Sequence, residues 1–509
     1  MKAIYVGSGI SLVASAYAAF GANVVFTVNK RNCDITSLKF QGKELQWNSK
    51  GSHIASGLGS ATVSAKRAPR WSLCVAGSLT QYLIARSGNP VIYMATHITA
   101  PHSVGELRFI ARIRSNEMPN SMPLGDVSKT SGGSAIEGND VFLVNGQTRP
   151  KFYSSERFID DKVHCIGGSG RAACMVILNY ETAPGGPFMR DINTNNGGES
   201  NDLYFYMNSG HLRTEDWCMG LHGPYAIHFT GGSISDGNLD TSFFKDLGIR
   251  GYVPDSARGS MSDQVSGVEA GKQAVVHFKN KEAQYWARAD DTGNYKTPLM
   301  KPGSYEMTLY QGEFPIGKSN VQVNQGTITA KNLAGTSLSS GTFWRIGDWD
   351  GQPTGFQNAD KFHRMHPTDR RMTSWGRLTY TVGSSTLGNV PMALVKGKND
   401  PFTIVFNLDA NQAKAATLRI GTTLSFAGGR PQTNVNNWAG PAPSQPTKID
   451  SRGLTRGGYR GHGEVYTLNI PAGTLVTEKN TITINVLSSS SGTDFLAPNF
   501  ILDAIELSQ

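Results

Sequence analysis

The chain has 509 residues, with 58 glycines, a charged fraction of only 17% and a formal net charge of +9. This length is large for one domain and suits roughly two to four, and the glycine content with short Thr, Ser, Val and Ile runs is typical of an all-β protein rather than a helical one. The positive excess favours polyanionic partners. Because the basic residues are scattered and form no Lys/Arg block, we expect no nucleic-acid partner.

The N-terminus resembles a secretory leader. Lys2 precedes a mildly apolar run that ends in Ala16-Tyr17-Ala18, a small-x-small cleavage pattern, although Gly7-Ser8-Gly9 interrupts the run. We therefore predict a signal peptide over residues 1–18 and a secreted, extracellular protein. No later segment has enough uninterrupted apolar residues to span a bilayer, so we expect no membrane partner.

The same segment also imitates the start of a dinucleotide-binding fold. Gly7-Ser8-Gly9 is followed by alanine-rich sequence and an apolar strand. Leu12 stands where the third glycine belongs, and Asn29 stands where an acidic residue would bind the ribose. The motif is incomplete at both positions, and we reject this interpretation.

All five cysteines lie in the first half of the chain. Cys165 and Cys174 are close enough to close a small loop, and Cys33 could pair with Cys74 across neighbouring strands, which leaves Cys218 over. A zinc site needs clustered pairs at short spacing, and a single pair comes near that pattern. We predict two disulfides and hence an oxidising compartment.

Three regions follow along the chain. Residues 19–251 are dense in strand-like runs, which must bury one face against another sheet and so predict a β-sandwich. Residues 252–336 have short strands and regular turns, typical of a small seven-stranded sandwich of fibronectin or immunoglobulin type. Residues 337–509 resemble the jelly-roll modules that bind sugars, with first and last strands able to pair.

Lys151 and His211 are candidate proton-transfer groups. Lys151 follows Pro150 and has Arg149 and Arg157 nearby, and neighbouring positive charge with partial burial lowers a lysine pKa toward that of a useful base. His211 follows a turn at a predicted strand end, where it could accept or donate a proton. The alternatives are a solvated surface lysine and a structural histidine, which are the commoner cases.

Two strands carry candidate substrate contacts. Alternation places Arg108, Ile110 and Arg112 on one face of a strand, where two arginines are costly unless an anion or water meets them. Tyr204 and Tyr206 also share a face, either as a platform for sugar stacking or as ordinary core packing. The segment 190–198, rich in Asn and Gly, is a polar loop that could line the same cleft.

Acidic residues are available for another chemistry. Five carboxylates near the candidate site keep hydrolysis of a glycosidic bond by an acid pair open as an alternative: Glu156, Asp160, Asp161, Glu199 and Asp202. We predict no metal site, since His363 and His366 lack a third ligand and the segment 348–351 is too short for a calcium loop.

Several long runs of the chain are distinctive: Gly105–Arg112, Lys151–Asp161, Tyr206–His211, Met219–Tyr225, Gly351–Phe356, Leu418–Pro431 and Pro498–Ile501. These runs closely resemble fungal rhamnogalacturonan lyases of polysaccharide lyase family 4. The resemblance extends over nearly the whole chain from about Cys33 onward.

The resemblance implies an all-β protein of three domains: a catalytic β-sandwich, a fibronectin type III-like sandwich and a jelly-roll domain similar to carbohydrate-binding modules. It implies an endolyase that cleaves the rhamnose-(1→4)-galacturonate bond of rhamnogalacturonan I, an acidic pectic polysaccharide, by β-elimination. The family's catalytic lysine and histidine fall on Lys151 and His211.

Further expectations follow from the same resemblance. Arginines and tyrosines of the family that contact substrate match Arg108, Arg112, Tyr204 and Tyr206. We expect a monomer that needs no cofactor for catalysis, with a structural calcium left open. The alternatives are a glycoside hydrolase acting on the same polymer and a non-catalytic pectin-binding protein.

Overall fold

The computed structural model describes residues 4–6, 9–15, 23–67, 70–86, 88–102, 105–122, 130–138, 140–150, 152–154, 156–209, 215–338, 340–361, 376–447, 463–492 and 497–509. Within these ranges the regular structure consists of β-strands and four short 3₁₀ helices, Ser242–Asp246, Asp255–Ala257, Ala359–Lys361 and Leu387–Asn389. The prediction of an all-β protein is confirmed. No helix in the described part of the chain is long and apolar enough to cross a membrane.

The described residues of the first region contain twenty-one strands. They are β1 Ile4–Val6, β2 Gly9–Ser15, β3 Asn23–Asn29, β4 Ile35–Phe40, β5 Lys43–Glu44, β6 His53–Ile54, β7 Thr62–Arg67, β8 Arg70–Ala76, β9 Leu79–Ala85, β10 Val91–Ile98, β11 Leu107–Arg114, β12 Asn120–Met122, β13 Ser134–Glu137, β14 Val141–Val144, β15 Gln147–Pro150, β16 Phe152–Ser154, β17 Val163–Gly168, β18 Arg171–Ile177, β19 Ile192–Asn196, β20 Ser200–Asn208 and β21 Gly220–Thr230.

Two sheets of this region form a sandwich. One has eight strands in the order β12-β17-β18-β21-β10-β9-β8-β7, and the other has five in the order β16-β19-β20-β11-β6. Phe109 and Phe205 of the smaller sheet contact Tyr225 of the larger, with ring centroids 6.0 and 4.9 Å apart. These rings belong to the buried core of the region. The face of the smaller sheet that carries Phe109 and Phe205 is therefore used for packing, and a functional site on this sheet has to lie on its opposite face.

Two smaller sheets complete the described part of the first region. Strands β1 to β5 form one sheet in chain order, and β13, β14 and β15 form a three-stranded sheet. Strand β2 lies within the predicted signal peptide and pairs with β3 from Gly9 opposite Asn29 to Ser15 opposite Asn23. The signal peptide and the domain boundaries at residues 251 and 336 stay predictions.

Both predicted disulfides are present in the first region. Cys165 and Cys174 are direct partners on the hairpin strands β17 and β18, with Cα atoms 4.0 Å apart. Cys33 is joined to Cys74 of β8, with a Cα separation of 5.9 Å. Cys218 belongs to neither bond and is buried.

The second region has eight short strands in two sheets around its own core. They are β22 Ser260–Ser266, β23 Ala274–Lys279, β24 Gln284–Arg288, β25 Asn294–Lys296, β26 Gly303–Gln311, β27 Phe314–Val323, β28 Ile328–Thr329 and β29 Leu333–Ala334. The sandwich has one strand more than the predicted seven because the last two, of two residues each, pair separately with β22.

The third region comprises two five-stranded sheets around a third core. Its strands are β30 Thr342–Gly347, β31 Thr379–Thr381, β32 Ala393–Val395, β33 Phe402–Leu408, β34 Ala416–Phe426, β35 Arg430–Val435, β36 Trp438–Ala439, β37 Glu464–Ile470, β38 Glu478–Leu487 and β39 Asn499–Ser508. The first strand, β30, pairs with the last, β39, as the sequence predicts.

A buried ion pair joins the first two regions. Glu181 is 4% exposed and accepts hydrogen bonds from Arg258 at 2.8 Å and from the Tyr285 hydroxyl at 2.7 Å, while Lys301 lies 3.2 Å away. These cations hold the pKa of Glu181 below its usual value, although burial alone would raise it. A carboxylate with this many partners fixes the second region against the first.

Candidate active site

The candidate site lies on the smaller sheet of the sandwich, β16-β19-β20-β11-β6, on the face that points away from the core. There β20 runs between β11 and β19. In the antiparallel register Arg108 is opposite Tyr206, Ile110 is opposite Tyr204, and Arg112 is opposite Asp202. Directly opposed residues share a face of the sheet. The alternation expected from the sequence therefore brings the two arginines and two tyrosines together.

Tyr204 and Tyr206 stack on each other, with centroids 5.6 Å apart and planes inclined by 10°. They are 7% and 5% exposed and pack with Ile110, so the rings do not form the open platform considered from the sequence. The Tyr204 hydroxyl accepts a hydrogen bond from the Asn195 amide at 3.1 Å. Burial raises the pKa of both phenols, which keeps them protonated as donors.

Arg108 is held from three sides. It donates to the Tyr206 hydroxyl at 2.8 Å and to the Ser56 hydroxyl at 3.2 Å, and it is paired with Glu106. Its guanidinium also lies 5.3 Å from the centroid of the Tyr206 ring, within the range of a cation–π contact. The side chain is 18% exposed, so its orientation is fixed while part of it stays accessible to solvent.

Arg112 has a buried counter-ion. It donates to the Asp202 carboxylate at 2.5 Å, and Asp202 is 0% exposed whereas Arg112 is 16% exposed. Burial raises the pKa of Asp202 to about 6 in spite of the lowering effect of Arg112. The third arginine of the strand, Arg114, is engaged elsewhere and donates to the carbonyl of Gln46 at 2.9 Å.

Several polar atoms on this face are buried and have no hydrogen-bond partner among the described residues: His53 Nε2, Arg108 Nε, Arg112 Nε, Asn195 Oδ1 and Asp202 Oδ1. His53 is opposite Ile110 in the sheet, and its Nδ1 contacts the carbonyl of Gly51 at 2.8 Å. Burial lowers the pKa of His53 to about 4, so its ring is neutral near pH 7. Buried polar groups are normally satisfied, and these donors and acceptors fit a polyhydroxylated ligand or ordered water.

Lys151 and His211 lie outside the described residues. The chain neighbours of Lys151 are Pro150, the last residue of β15, and Phe152, which begins β16 and pairs with Asn195. Strand β20, which carries both tyrosines, ends at Asn208, three positions before His211 in the sequence. Strand β16, which follows Lys151 in the sequence, and strand β20, which precedes His211, both belong to the sheet that carries the arginines, whereas β15 belongs to the three-stranded sheet.

The structure differs from the sequence analysis at the segment 190–198. Ile192–Asn196 is not a loop but the strand β19, hydrogen-bonded between β16 and β20. Its Asn- and Thr-rich composition concealed a strand that is stabilised by partners on both sides. Sequence reasoning missed His53 and Glu106 as parts of the site, whereas Asn195 lies in the segment that was expected to line it. Alternation with Tyr204 and Tyr206 was the available signal for Asp202.

Three of the five acidic residues considered for hydrolysis are engaged in ion pairs. Asp202 pairs with Arg112, Asp160 pairs with Arg157 at 2.7 Å and with Arg288, and Glu156 lies 3.3 Å from Arg190. A hydrolase needs one carboxyl group to protonate the leaving oxygen and a second to act as nucleophile or base. The outward face instead presents arginine and tyrosine donors, which suit an anionic ligand.

Three protein-family profiles match successive parts of the chain. Residues 11–251 match the profile described as rhamnogalacturonan lyase B, N-terminal. Residues 257–331 match domain II of polysaccharide lyase family 4, and residues 342–507 match its domain III.

Curated relatives match along nearly their full length. Rhamnogalacturonate lyase A of Emericella nidulans is 57% identical over 486 residues, which cover 95% of this chain and 92% of the relative. The probable rhamnogalacturonate lyase A of Aspergillus fumigatus is 56% identical, covering 100% and 97%. Rhamnogalacturonate lyase A of Aspergillus aculeatus is 54% identical, covering 98% and 96%. The chain therefore belongs to polysaccharide lyase family 4, among the rhamnogalacturonate lyases.

Proposed function

We propose that the chain is a rhamnogalacturonan endolyase that cleaves the rhamnose-(1→4)-galacturonate bond of rhamnogalacturonan I and leaves a 4,5-unsaturated galacturonate end. The observation that carries the proposal is the pair of oriented arginines, Arg108 and Arg112, on the outward face of the five-stranded sheet. An acidic polymer is the ligand class that such a face recognises.

The chemistry requires removal of the proton on C5 of galacturonate and departure of the oxygen on C4. Negative charge accumulates on the adjacent carboxylate as the C5 proton leaves, and preorganised cations lower the barrier by stabilising that charge. Arg108 and Arg112 are suited to this role because the side chains around them already fix their orientation. We propose that they bind the galacturonate carboxylate.

Lys151 and His211 are the proposed proton-transfer groups. In one assignment Lys151 removes the C5 proton while His211 neutralises the carboxylate or protonates the leaving oxygen. The roles can also be exchanged, since both side chains can be tuned to titrate near the working pH. Two observations support this assignment: the family pattern, and the membership of β16, which follows Lys151, and β20, which precedes His211, in one sheet.

Tyr204 and Tyr206 contribute through their hydroxyl groups rather than through open ring faces. The Tyr206 hydroxyl accepts a hydrogen bond from Arg108, and the Tyr204 hydroxyl accepts one from the Asn195 amide. We propose that these phenols orient the arginine and amide groups that contact the sugar. No cofactor enters this scheme, because arginine and lysine supply the positive charge that calcium supplies in many pectate lyases.

The setting of the reaction follows from the same proposal. The partner is an acidic pectic polysaccharide, and neither nucleic acid nor membrane takes part. The two disulfides are suited to an oxidising compartment. We propose a secreted, extracellular enzyme that acts as a monomer.

Activity on purified rhamnogalacturonan I tests the function. Elimination leaves a double bond conjugated with the carboxylate, so ultraviolet absorbance should rise as the polymer is cut. A glycoside hydrolase would release oligosaccharides without that absorbance, and a binding protein would release none. Lys151→Ala and His211→Ala, each folded as the wild type, should abolish the increase; a near-wild-type rate in either variant would refute that residue's assignment.

A further inference from the structure

Arg112 and Asp202 form an ion pair in which the two side chains differ in solvent exposure. They are cross-strand partners on β11 and β20, with Nη1 and Oδ2 2.5 Å apart. The aspartate is fully buried, while the arginine reaches toward solvent with 16% of its side chain exposed. The counter-ion therefore lies beneath the guanidinium, and an anion from solvent can approach only the arginine.

The groups that face Asp202 come from each neighbouring element. On β11 the cation is Arg112, and on β19 Asn195 is opposite Asp202 in the register. The remaining groups are the Ser200 and Tyr204 side chains of its own strand and, at longer range, the Lys50 ammonium. His53 of β6 has a neutral ring near pH 7 and interacts electrostatically with Arg112. Among these, Arg112 is the cation in direct contact with the carboxylate.

This arrangement makes the charge of the pair variable. Burial raises the pKa of Asp202 to about 6. With Asp202 ionised the pair is neutral, and with Asp202 protonated it carries one positive charge. An anion that arrives at Arg112 repels the carboxylate beneath it and so favours the protonated form.

We infer that Asp202 is a positioning residue for Arg112, and that binding of a uronate carboxylate at Arg112 is coupled to uptake of a proton by Asp202. The inference rests on the proposed function, because it requires Arg112 to receive the galacturonate carboxylate. Asp202 holds the guanidinium in place and also determines whether the site carries net charge. Substrate affinity then falls as pH rises, by up to about tenfold per pH unit while one proton is linked to binding.

Asp202→Asn separates the two roles. The asparagine oxygen can still accept the hydrogen bond from Arg112, so the geometry is kept while the charge is removed. We expect this variant to bind the polymer at least as tightly as its parent near pH 7.5 and to lose the proton linkage. Asp202→Ala removes both roles and should raise KM more than it lowers kcat.

The test is titration calorimetry of a saturated-chain rhamnogalacturonan I oligosaccharide in buffers of different ionisation enthalpy. The parent is the full chain with Lys151→Ala and His211→Ala, which removes turnover and the other proposed titrating groups. Near pH 7 it should take up most of one proton per bound oligosaccharide, and the same chain with Asp202→Asn should take up none. A matched control is Glu306→Gln, which removes a carboxylate from the exposed pair with Lys318 at 2.9 Å and should leave uptake unchanged.

The outcomes separate the two claims. Binding without proton uptake, or uptake that persists in Asp202→Asn, overturns the inference and leaves the proposed function intact. Absence of binding by the parent overturns the inference, whereas absence of elimination by the unsubstituted chain overturns the proposed function and with it the inference. If Asp202→Asn does not fold, the same measurement on the parent at several pH values tests the inference. The number of protons taken up per bound oligosaccharide should decline toward zero near pH 4, because Asp202 is already protonated there. A proton uptake that does not change with pH overturns the inference.

Discussion

The guanidinium of Arg108 donates a hydrogen bond to the Tyr206 hydroxyl at 2.8 Å and lies 5.3 Å from the centroid of the same ring. The two residues are direct partners on β11 and β20. Tyr206 thus fixes both the position and the plane of the arginine. The proposed carboxylate site is organised before substrate arrives, which is the condition for efficient electrostatic stabilisation.

Arg108→Lys should impair catalysis strongly although it keeps the charge. A lysine cannot reproduce the planar fork that contacts Tyr206, Ser56 and Glu106 together. We expect kcat/KM on rhamnogalacturonan I to fall by about 10² to 10³-fold, measured from the rise in product absorbance. Arg31→Lys, at an exposed turn position, is the matched control, and an equal loss in that variant would rule out a specific role for Arg108.

Glu313 should make the protein less stable as pH rises. It is 1% exposed beside Arg157 and Arg190, and burial raises its pKa from 4.5 to about 7. The folded state therefore binds the proton more tightly than the unfolded state. The free energy of unfolding should fall between about pH 4.5 and 7, by at most about 3 kcal/mol.

Glu313→Gln tests that slope. Denaturant unfolding at several pH values should give a flatter profile for the variant, and the variant should be the more stable protein at pH 8. Arg157 and Arg190 retain Asp160 and Glu156 as partners, so the substitution does not leave them without counter-ions. An unchanged slope would show that another group carries the pH dependence.

Glu181→Gln should destabilise the junction between the first two regions. The substitution leaves the buried Arg258 and the nearby Lys301 without their carboxylate. Breaking a buried ion pair in this way costs about 3 to 5 kcal/mol, which thermal unfolding would detect as a lower midpoint. A midpoint equal to that of the wild type would mean that the contact adds nothing to the interface.

The two disulfides should differ in their contribution to stability. Cys33 and Cys74 are 41 positions apart, and Cys165 and Cys174 are 9 apart. In the chain-entropy account the longer loop contributes more, about 4 kcal/mol against about 3. Paired alanine variants compared by denaturant unfolding should show the greater loss for Cys33 and Cys74; the reverse order would contradict that account.

Much of the site could be predicted from strand alternation. The period of two assigns Arg108 and Arg112 to the face opposite Phe109 and Ala111, and the buried core has those apolar residues. The same rule gives Tyr204 and Tyr206 a common face. These features are local, because each depends only on which residues of one strand point the same way.

The remaining features depend on contacts between distant segments. The pairing of Arg112 with Asp202 requires the register between β11 and β20, and the approach of His53 requires β6 to pair with β11. Neither register is written in the periodicity of a single strand. The strand β19 was missed for a related reason, since partners on both sides compensate for its weak propensity.

The central claim is β-elimination on rhamnogalacturonan I, and the ratio of new chain ends tests it most directly. Purified protein is incubated with the polymer, and unsaturated galacturonate ends, from absorbance, are counted against new reducing ends in the same samples. Elimination predicts one unsaturated end for every new reducing end throughout the reaction. Reducing ends that form without matching absorbance would contradict the account and identify the enzyme as a hydrolase.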